Sequence, residues 1–218
     1  MIVVALGVAI GIYAGDYYRV TDDAFREAIV EETEDYILYG DSSSKVGFIF
    51  YPGAKVEAES YAPILSRVAE EGVCCLTMKM SMHLAILDMD ACEKAYEVCL
   101  EVETWYIGGH SLGGAMAASY VAEQQENFAG LILLAAYPTS ELADIPVLSI
   151  YGTEDKVLNS EKYVEGMAMV HDFQEFVLKG GNHAQFGYYG AQEGDGVATM
   201  DAVTQWEQTA DAILEFIK

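Results

Sequence analysis

Basic side chains are scarce in this sequence. Its 218 residues hold 11 Lys plus Arg against 35 Asp plus Glu, a formal net charge of −24. No basic cluster interrupts that bias, and a surface of this sign repels nucleic acid and anionic lipid headgroups at moderate salt. A nucleic-acid partner is thereby excluded. Cysteine is also sparse, with four in the chain. None stands at metal-type spacing with a histidine, and nothing in the sequence suggests a metal or an organic cofactor. Cys74 and Cys75 adjoin in an apolar run and point to opposite faces of a strand. Cys92 and Cys99 share one face of a helix. All four read as small buried hydrophobes with free thiols. Internal repeats, low-complexity segments and Pro- or Ser-rich linkers are missing from residues 45–218, so the length fits one domain.

Long apolar runs are nearly absent as well. The exception is MIVVALGVAIGIYAG at residues 1–15. At ~1.5 Å rise per residue it falls short of the ~30 Å hydrocarbon core of a bilayer. It also exceeds an ordinary strand of about 5–6 residues. Gly7, Gly11 and Gly15 recur at the four-residue spacing that suits close helix packing in lipid. Tyr13, Tyr17 and Tyr18 would then sit at the interface. A basic leading region and a small-residue cleavage motif are both missing, so a standard signal peptide fits poorly. The expectation is a short or truncated membrane anchor within residues 1–18, followed by one domain over 19–218 held outside the cytoplasm. The alternative is a segment packed in the fold of a cytoplasmic protein.

What the chain has in quantity is apolar residues, 52% of the total against 21% charged. A large core can form, and disorder of the whole chain is excluded. Continuous apolar runs at 46–51 (VGFIFY), 73–78 (VCCLTM), 104–109 (TWYIGG), 130–136 (GLILLAA) and 146–152 (PVLSIYG) read as strands covered on both faces. FQEFVLKG at 173–180 and the short YILYG at 36–40 also read as strands. Helical spacing occupies 22–36, 59–72, 89–103, 112–125, 159–170 and 199–218. In the last of these, Val203, Trp206, Ala210, Ile213 and Ile217 fall on one face. Alternating strands and helices imply right-handed crossovers and a mostly parallel sheet.

One stretch, IGGHSLGGAMAA at 107–118, carries chemistry. Gly109-His110-Ser111-Leu112-Gly113 matches G-x-S-x-G, with a strand before it and a helix after it. Such a turn presents the serine hydroxyl above the sheet edge. Side chains two residues to either side would collide, hence the glycines. The Leu112 amide then faces a substrate carbonyl oxygen from a helix N-terminus. A serine nucleophile needs a base and a group to orient it. The strand at 146–152 runs into Thr153-Glu154-Asp155, which makes Asp155 the expected acid and Glu154 the second choice. The strand at 173–180 leads to Gly181-Asn182-His183, which makes His183 the expected base. His110 lies inside the turn and points away, His83 precedes the serine, and His171 ends a helix before the last strand. Pro52-Gly53 follows the strand at 46–51, and the Ala54 amide is the expected second oxyanion donor, with Lys55 its alternative.

The stretch beginning YPGAKVEAESYAPIL, the turn GGHSLGG, the GTEDKV loop and the GGNHAQFGYYG loop together resemble the α/β-hydrolase superfamily. More narrowly, they resemble small bacterial members with a short N-terminal membrane segment. The resemblance covers roughly residues 36–218. It implies an α/β fold with a mostly parallel sheet flanked by helices, and a triad of Ser111, Asp155 and His183. It also implies oxyanion donors at Ala54 and Leu112. About a dozen residues around AAYPTSELADI separate two of the strands, too few for a large cap domain. KMSMHLAILDMD at 79–90 offers Met80, Met82, Leu84 and Leu87 either to an acyl pocket or to the core. AQFGYYGAQEGDG at 184–196 offers Phe186, Tyr188 and Tyr189 to a mobile wall or to a rigid packed loop. The expected chemistry is hydrolysis of a small-molecule or lipid-like ester through an acyl-enzyme. An acyltransferase with the same triad and a non-catalytic binding protein on the same fold are the alternatives.

Overall fold

The computed structural model describes residues 15–218. The expected membrane anchor at 1–15 lies, but for Gly15, outside the described residues, among which no helix is long and apolar enough to cross a membrane. Tyr17 and Tyr18, expected at a membrane interface, pack on the protein. Tyr17 stacks on His83 with ring centroids 3.9 Å apart. The Tyr18 amide donates to the Lys55 carbonyl at 2.7 Å, and the Glu57 amide donates to the Tyr18 carbonyl at 2.9 Å.

Eight strands form one sheet: β1 (Ile29–Glu32), β2 (Tyr36–Tyr39), β3 (Val46–Tyr51), β4 (Val73–Met78), β5 (Thr104–His110), β6 (Gly130–Leu134), β7 (Val147–Gly152) and β8 (Phe173–Leu178). Their order across the sheet is β1-β2-β4-β3-β5-β6-β7-β8. β2 runs antiparallel to β1 and β4, and every other pairing is parallel. The helices are α1 (Ala62–Glu70), α2 (Ala95–Val98), α3 (Leu112–Ala122), α4 (Ser160–Met167) and α5 (Ala202–Ile217). Residues 135–146 join β6 to β7 without a helix.

The period-two alternation of the strands sorts their side chains into two cores. Phe48 and Phe50 of β3 face one side with Cys75, Ile132 and Ile150. Residues of α1 and α5 cover that side, including Leu65, Val68, Trp206 and Ile213. Ile49 and Tyr51 face the other with Cys74, Leu133 and Val147, covered by α3 and α4. Because both faces are covered, the central strands read as unbroken apolar runs. α5 starts cleanly because the Asp201 carboxylate accepts from the Thr204 amide at 3.0 Å, a cap worth about 1 kcal/mol. Val203, expected on the buried face of α5, is exposed, and Gln205 and Thr209 are buried in its place.

Two other expectations fail. Residues 22–36, read as a helix, form a 3₁₀ turn and then β1, which pairs with β2. An exposed edge strand shows its polar side chains outward, so little in the sequence marks it as a strand. The helix expected over 89–103 shrinks to a 3₁₀ turn and the four residues of α2. Cys74 and Cys75 do face opposite sides of the sheet. Cys75 and Cys92 are free and buried. Cys74 and Cys99 come together sulfur to sulfur, because 91–99 packs on the face to which Cys74 points.

β5 and β6 approach closely where the chain heads for the turn at residue 111. A Cβ on Gly108 would lie 2.2 Å from the Ile132 carbonyl oxygen. Backbone cannot yield as a side-chain tip can, so Gly108→Ala should cost about 1–3 kcal/mol by overpacking. Urea unfolding should show a lower midpoint at unchanged slope; an unchanged midpoint would mean that the strands separate freely.

Candidate active site

Ser111 is the single residue between β5 and α3, and its backbone makes the whole change of direction. Its dihedrals are φ 53° and ψ −123°, a sparsely populated conformation that costs a non-glycine residue about 1–3 kcal/mol. The surroundings hold it there. The Ser111 amide donates to the Leu134 carbonyl at 2.9 Å, and the Ala115 amide donates to the Ser111 carbonyl at 3.1 Å. Flanking side chains would not fit. A Cβ on Gly109 would lie 2.6 Å from the Tyr51 carbonyl oxygen, and one on Gly113 would lie 2.2 Å from that of Pro52.

The other two expected residues meet directly. The Asp155 carboxylate lies in the turn after β7, where Oδ1 accepts from the Val157 and Leu158 amides, each at 2.8 Å. Its Oδ2 is 2.8 Å from His183 Nδ1, and both side chains are 2% exposed. An ionised carboxylate only accepts, so Nδ1 carries the ring proton and Nε2 has its lone pair free. His183 Nε2 is buried without a hydrogen-bond partner. Glu154, the second choice, makes no such contact; its carboxylate accepts from the Thr153 hydroxyl at 3.2 Å. Ser111 and His183 line one cleft of about 360 Å³, with Leu112, Met116, Tyr137 and Val157 among its walls. No hydrogen bond joins the Ser111 hydroxyl to Nε2.

The loop after β3 lies against the turn that carries Ser111, where Gly53 packs on His110 and Gly113 on Pro52. There the Gly53 amide donates to the Tyr61 hydroxyl at 2.8 Å. The Lys55 amide donates to the His83 carbonyl at 2.8 Å, and the Val56 amide to the Gly53 carbonyl at 3.2 Å. The Ala54 amide takes part in none of the loop's hydrogen bonds. Leu112, the other expected donor, opens α3, where an N–H has no intrahelical acceptor. The apolar side chains of the 79–90 loop, expected at an acyl pocket or in the core, do not reach this cleft. Met80 is buried, while Met82 and Leu87 are exposed. Phe186 and Tyr189 are buried in the α1–α5 core, so this part of the 184–196 loop is packed wall.

The pattern of a known family, described as the alpha/beta hydrolase family, matches residues 47–207. The chain belongs to the alpha/beta hydrolase family. No curated protein matches the sequence. Several solved structures share its fold. Est1E from Butyrivibrio proteoclasticus, solved with ferulic acid bound, superposes with a TM-score of 0.65 at 16% identity, over 84% of this chain and 94% of that one. A lipase-esterase related protein from Clostridium acetobutylicum gives 0.64 at 13% identity, over 85% and 100%. Esterase 2 of Thermogutta terrifontis, solved phosphonylated by sarin, gives 0.61 at 11% identity, over 83% and 88%.

Around these residues of the hydrolase pack others that the sequence reading set aside or did not single out. His110 points into the core, where its ring lies 4.4 Å from that of His183. Its Nδ1 is 2.9 Å from the Tyr61 hydroxyl. The same hydroxyl accepts from the Gly53 amide. One buried chain of hydrogen bonds thus ties the Gly53 loop to the turn that carries Ser111. Behind His183, the buried Gln205 of α5 accepts from the Asn182 amide at 3.1 Å and donates to the Asn182 carbonyl at 2.8 Å. A polar residue within an apolar helix face is the one sequence signal that marks Gln205.

Burial, with the His183 charge second, holds the His110 pKa well below the usual histidine range. The folded state therefore refuses a proton that the unfolded chain accepts near pH ~6.5. Above that pH the titration of His110 adds no pH dependence to stability; below it the unfolded state gains protons and stability falls. His110→Phe should lose less stability than the parent between about pH 7.5 and about pH 5.5, by on the order of 1 kcal/mol. Urea unfolding at both pH values measures this. Equal losses in the two proteins would mean that the folded state protonates His110.

Proposed function

We propose that the protein is a serine hydrolase that cleaves carboxylic esters through an acyl-enzyme, with Ser111 as nucleophile, His183 as base and Asp155 as the group that orients it. The observation that carries this reading is the pairing of a strained serine at a helix N-terminus with a carboxylate-bound histidine in one cleft. His183 Nε2, with its lone pair free, takes the Ser111 proton as the hydroxyl oxygen attacks the ester carbonyl. Asp155 keeps the imidazole in the tautomer this needs and stabilises the imidazolium that forms. The Leu112 and Ala54 amides donate to the developing oxyanion, each donor of this type being worth roughly 10²–10³ in rate. His183 then protonates the leaving alkoxide, and a water activated by the same imidazole releases the acid.

The walls of the cleft also support an uncharged, apolar acyl group. Leu112, Ala115, Met116, Ala136, Tyr137 and Val157 offer no cation to a charged one, and the chain's overall charge of −24 repels anions. Membrane association through residues 1–15 is part of the same proposal, on the strength of their apolar sequence alone. Finding the full chain wholly in the soluble fraction of its own cells would end that part.

Ser111→Ala should abolish covalent labelling by a fluorophosphonate probe and lower kcat on p-nitrophenyl esters by on the order of 10⁵–10⁶. Labelling of the variant as strong as that of the parent would remove Ser111 from the mechanism. A parent inert to both probe and esters would favour a binding role for the fold.

A further inference from the structure

The proposed acid and base sit on separate loops, after β7 and after β8; the Glu154 amide donates to the Gly181 carbonyl at 2.9 Å, which joins the loops ahead of the pair but leaves the far side of each residue to be held by something else. We propose that Asp195 is a positioning residue that staples these two loops together and thereby sets the Asp155–His183 hydrogen bond. The inference rests on the triad proposed above and adds a residue to it.

Asp195 lies in the irregular segment between His183 and α5, flanked by Gly194 and Gly196. Its contacts fall on the immediate neighbours of the dyad. Oδ1 accepts from the Lys156 amide at 3.2 Å, next to Asp155. Oδ2 accepts from the Ala184 amide at 2.8 Å, next to His183. Oδ1 also accepts from the Gly196 amide at 2.7 Å, which holds the carboxylate to its own turn. The backbone of that turn repeats the bridge. Gly196 presses on Glu154 so closely that a Cβ there would lie 1.9 Å from the Glu154 carbonyl oxygen. The Gly196 carbonyl in turn accepts from Asn182 Nδ2 at 2.7 Å. Residues 154 and 156 on one loop, and 182 and 184 on the other, are thus held by two consecutive residues of a third segment.

This arrangement differs from that of Gln205, which bonds to Asn182 and Gln185 and so fixes one loop to the core. The Asp195–Gly196 turn reaches both loops. Its carboxylate supplies acceptors in two directions at once, which an amide or a hydroxyl of the same size cannot do, since part of an amide would face an N–H. A catalytic geometry displaced by ~1 Å can lose on the order of 10² in rate, so a staple at this place acts on turnover while leaving the acyl cleft intact.

The test uses the full-length protein with Asp195→Asn, Asp195→Ala and Gly196→Ala. The last displaces the turn while keeping the carboxylate. Expected are a kcat lowered ~10-fold by Asp195→Asn and ~10²-fold by Asp195→Ala and by Gly196→Ala, with KM held within ~3-fold. In proton NMR, the downfield resonance of the His183 Nδ1 hydrogen should weaken or vanish in the Ala variants below their melting temperatures. The resonance persisting at parental position and intensity in both Ala variants, or kcat staying within ~3-fold of the parent in both, would overturn the staple. A fall in kcat that merely tracks the unfolded fraction in thermal melts would overturn it too. A parent without esterase activity or probe labelling would instead strike the proposed function, and the resonance would still decide the staple.

Discussion

The contact on which the catalytic edge depends is the seating of the first turn of α3 against the end of β3. Gly113 lies over the carbonyls of Tyr51 and Pro52, with no room for even one carbon more. That approach is what forces residue 111 to turn alone, in a conformation that costs a serine energy. The strain persists because well-made structure on both sides outweighs it: the β5 pairing with β3 and β6, and the helix itself. The same seating brings the N-terminus of α3 beside the loop after β3, so the amides of Leu112 and Ala54 come from two elements that touch. One packing contact therefore sets the Ser111 hydroxyl and the Leu112 and Ala54 amides together.

The base and its partner are secured differently. Asp155 and His183 ride on loops, which have more freedom than strands. Their fixity comes from hydrogen bonds made by neighbouring backbone. Asp155 is pinned by two amides of its own turn. Asn182, which precedes the base, is pinned by Gln205 from the core side. The design is modular: sheet and α3 present Ser111, and α5 with the irregular segment before it presents His183.

Sequence reading recovers the parts of this scheme that leave a periodic or local mark. Buried central strands show as unbroken apolar runs, and each catalytic candidate follows one of them. The turn at Ser111 shows through its glycines, because its steric demand falls on residues only two positions away. Three features leave no such mark. β1 is an edge strand whose acidic residues read as a helix face, and only its pairing with β2 makes it extended. Residues 91–99 carry helical spacing, but packing against the sheet keeps just one α-helical turn there and brings Cys99 to Cys74. The lining of the cleft comes from α3, the β6–β7 connection and the turn after Asp155, elements distant in sequence. The apolar loop after β4 has the composition of a pocket wall but lies elsewhere.

The placement of His110 adds a constraint on the electrostatics of the site. Two imidazole rings with centroids 4.4 Å apart cannot both carry charge at low cost. In the ester cleavage proposed above, the His183 ring becomes an imidazolium in passing. Its neighbour must then be neutral throughout, and full burial of His110 keeps it so. The single compensating charge in contact with His183 is Asp155, and each of its oxygens is already engaged. A charged residue at position 110 would set a fixed cation against the transient one, whereas a neutral aromatic ring fills the same space at no electrostatic cost. The ring at position 110 thus does two things at once: it packs beside His183, and its Nδ1 ties Tyr61, and with it Gly53, to the turn that carries Ser111.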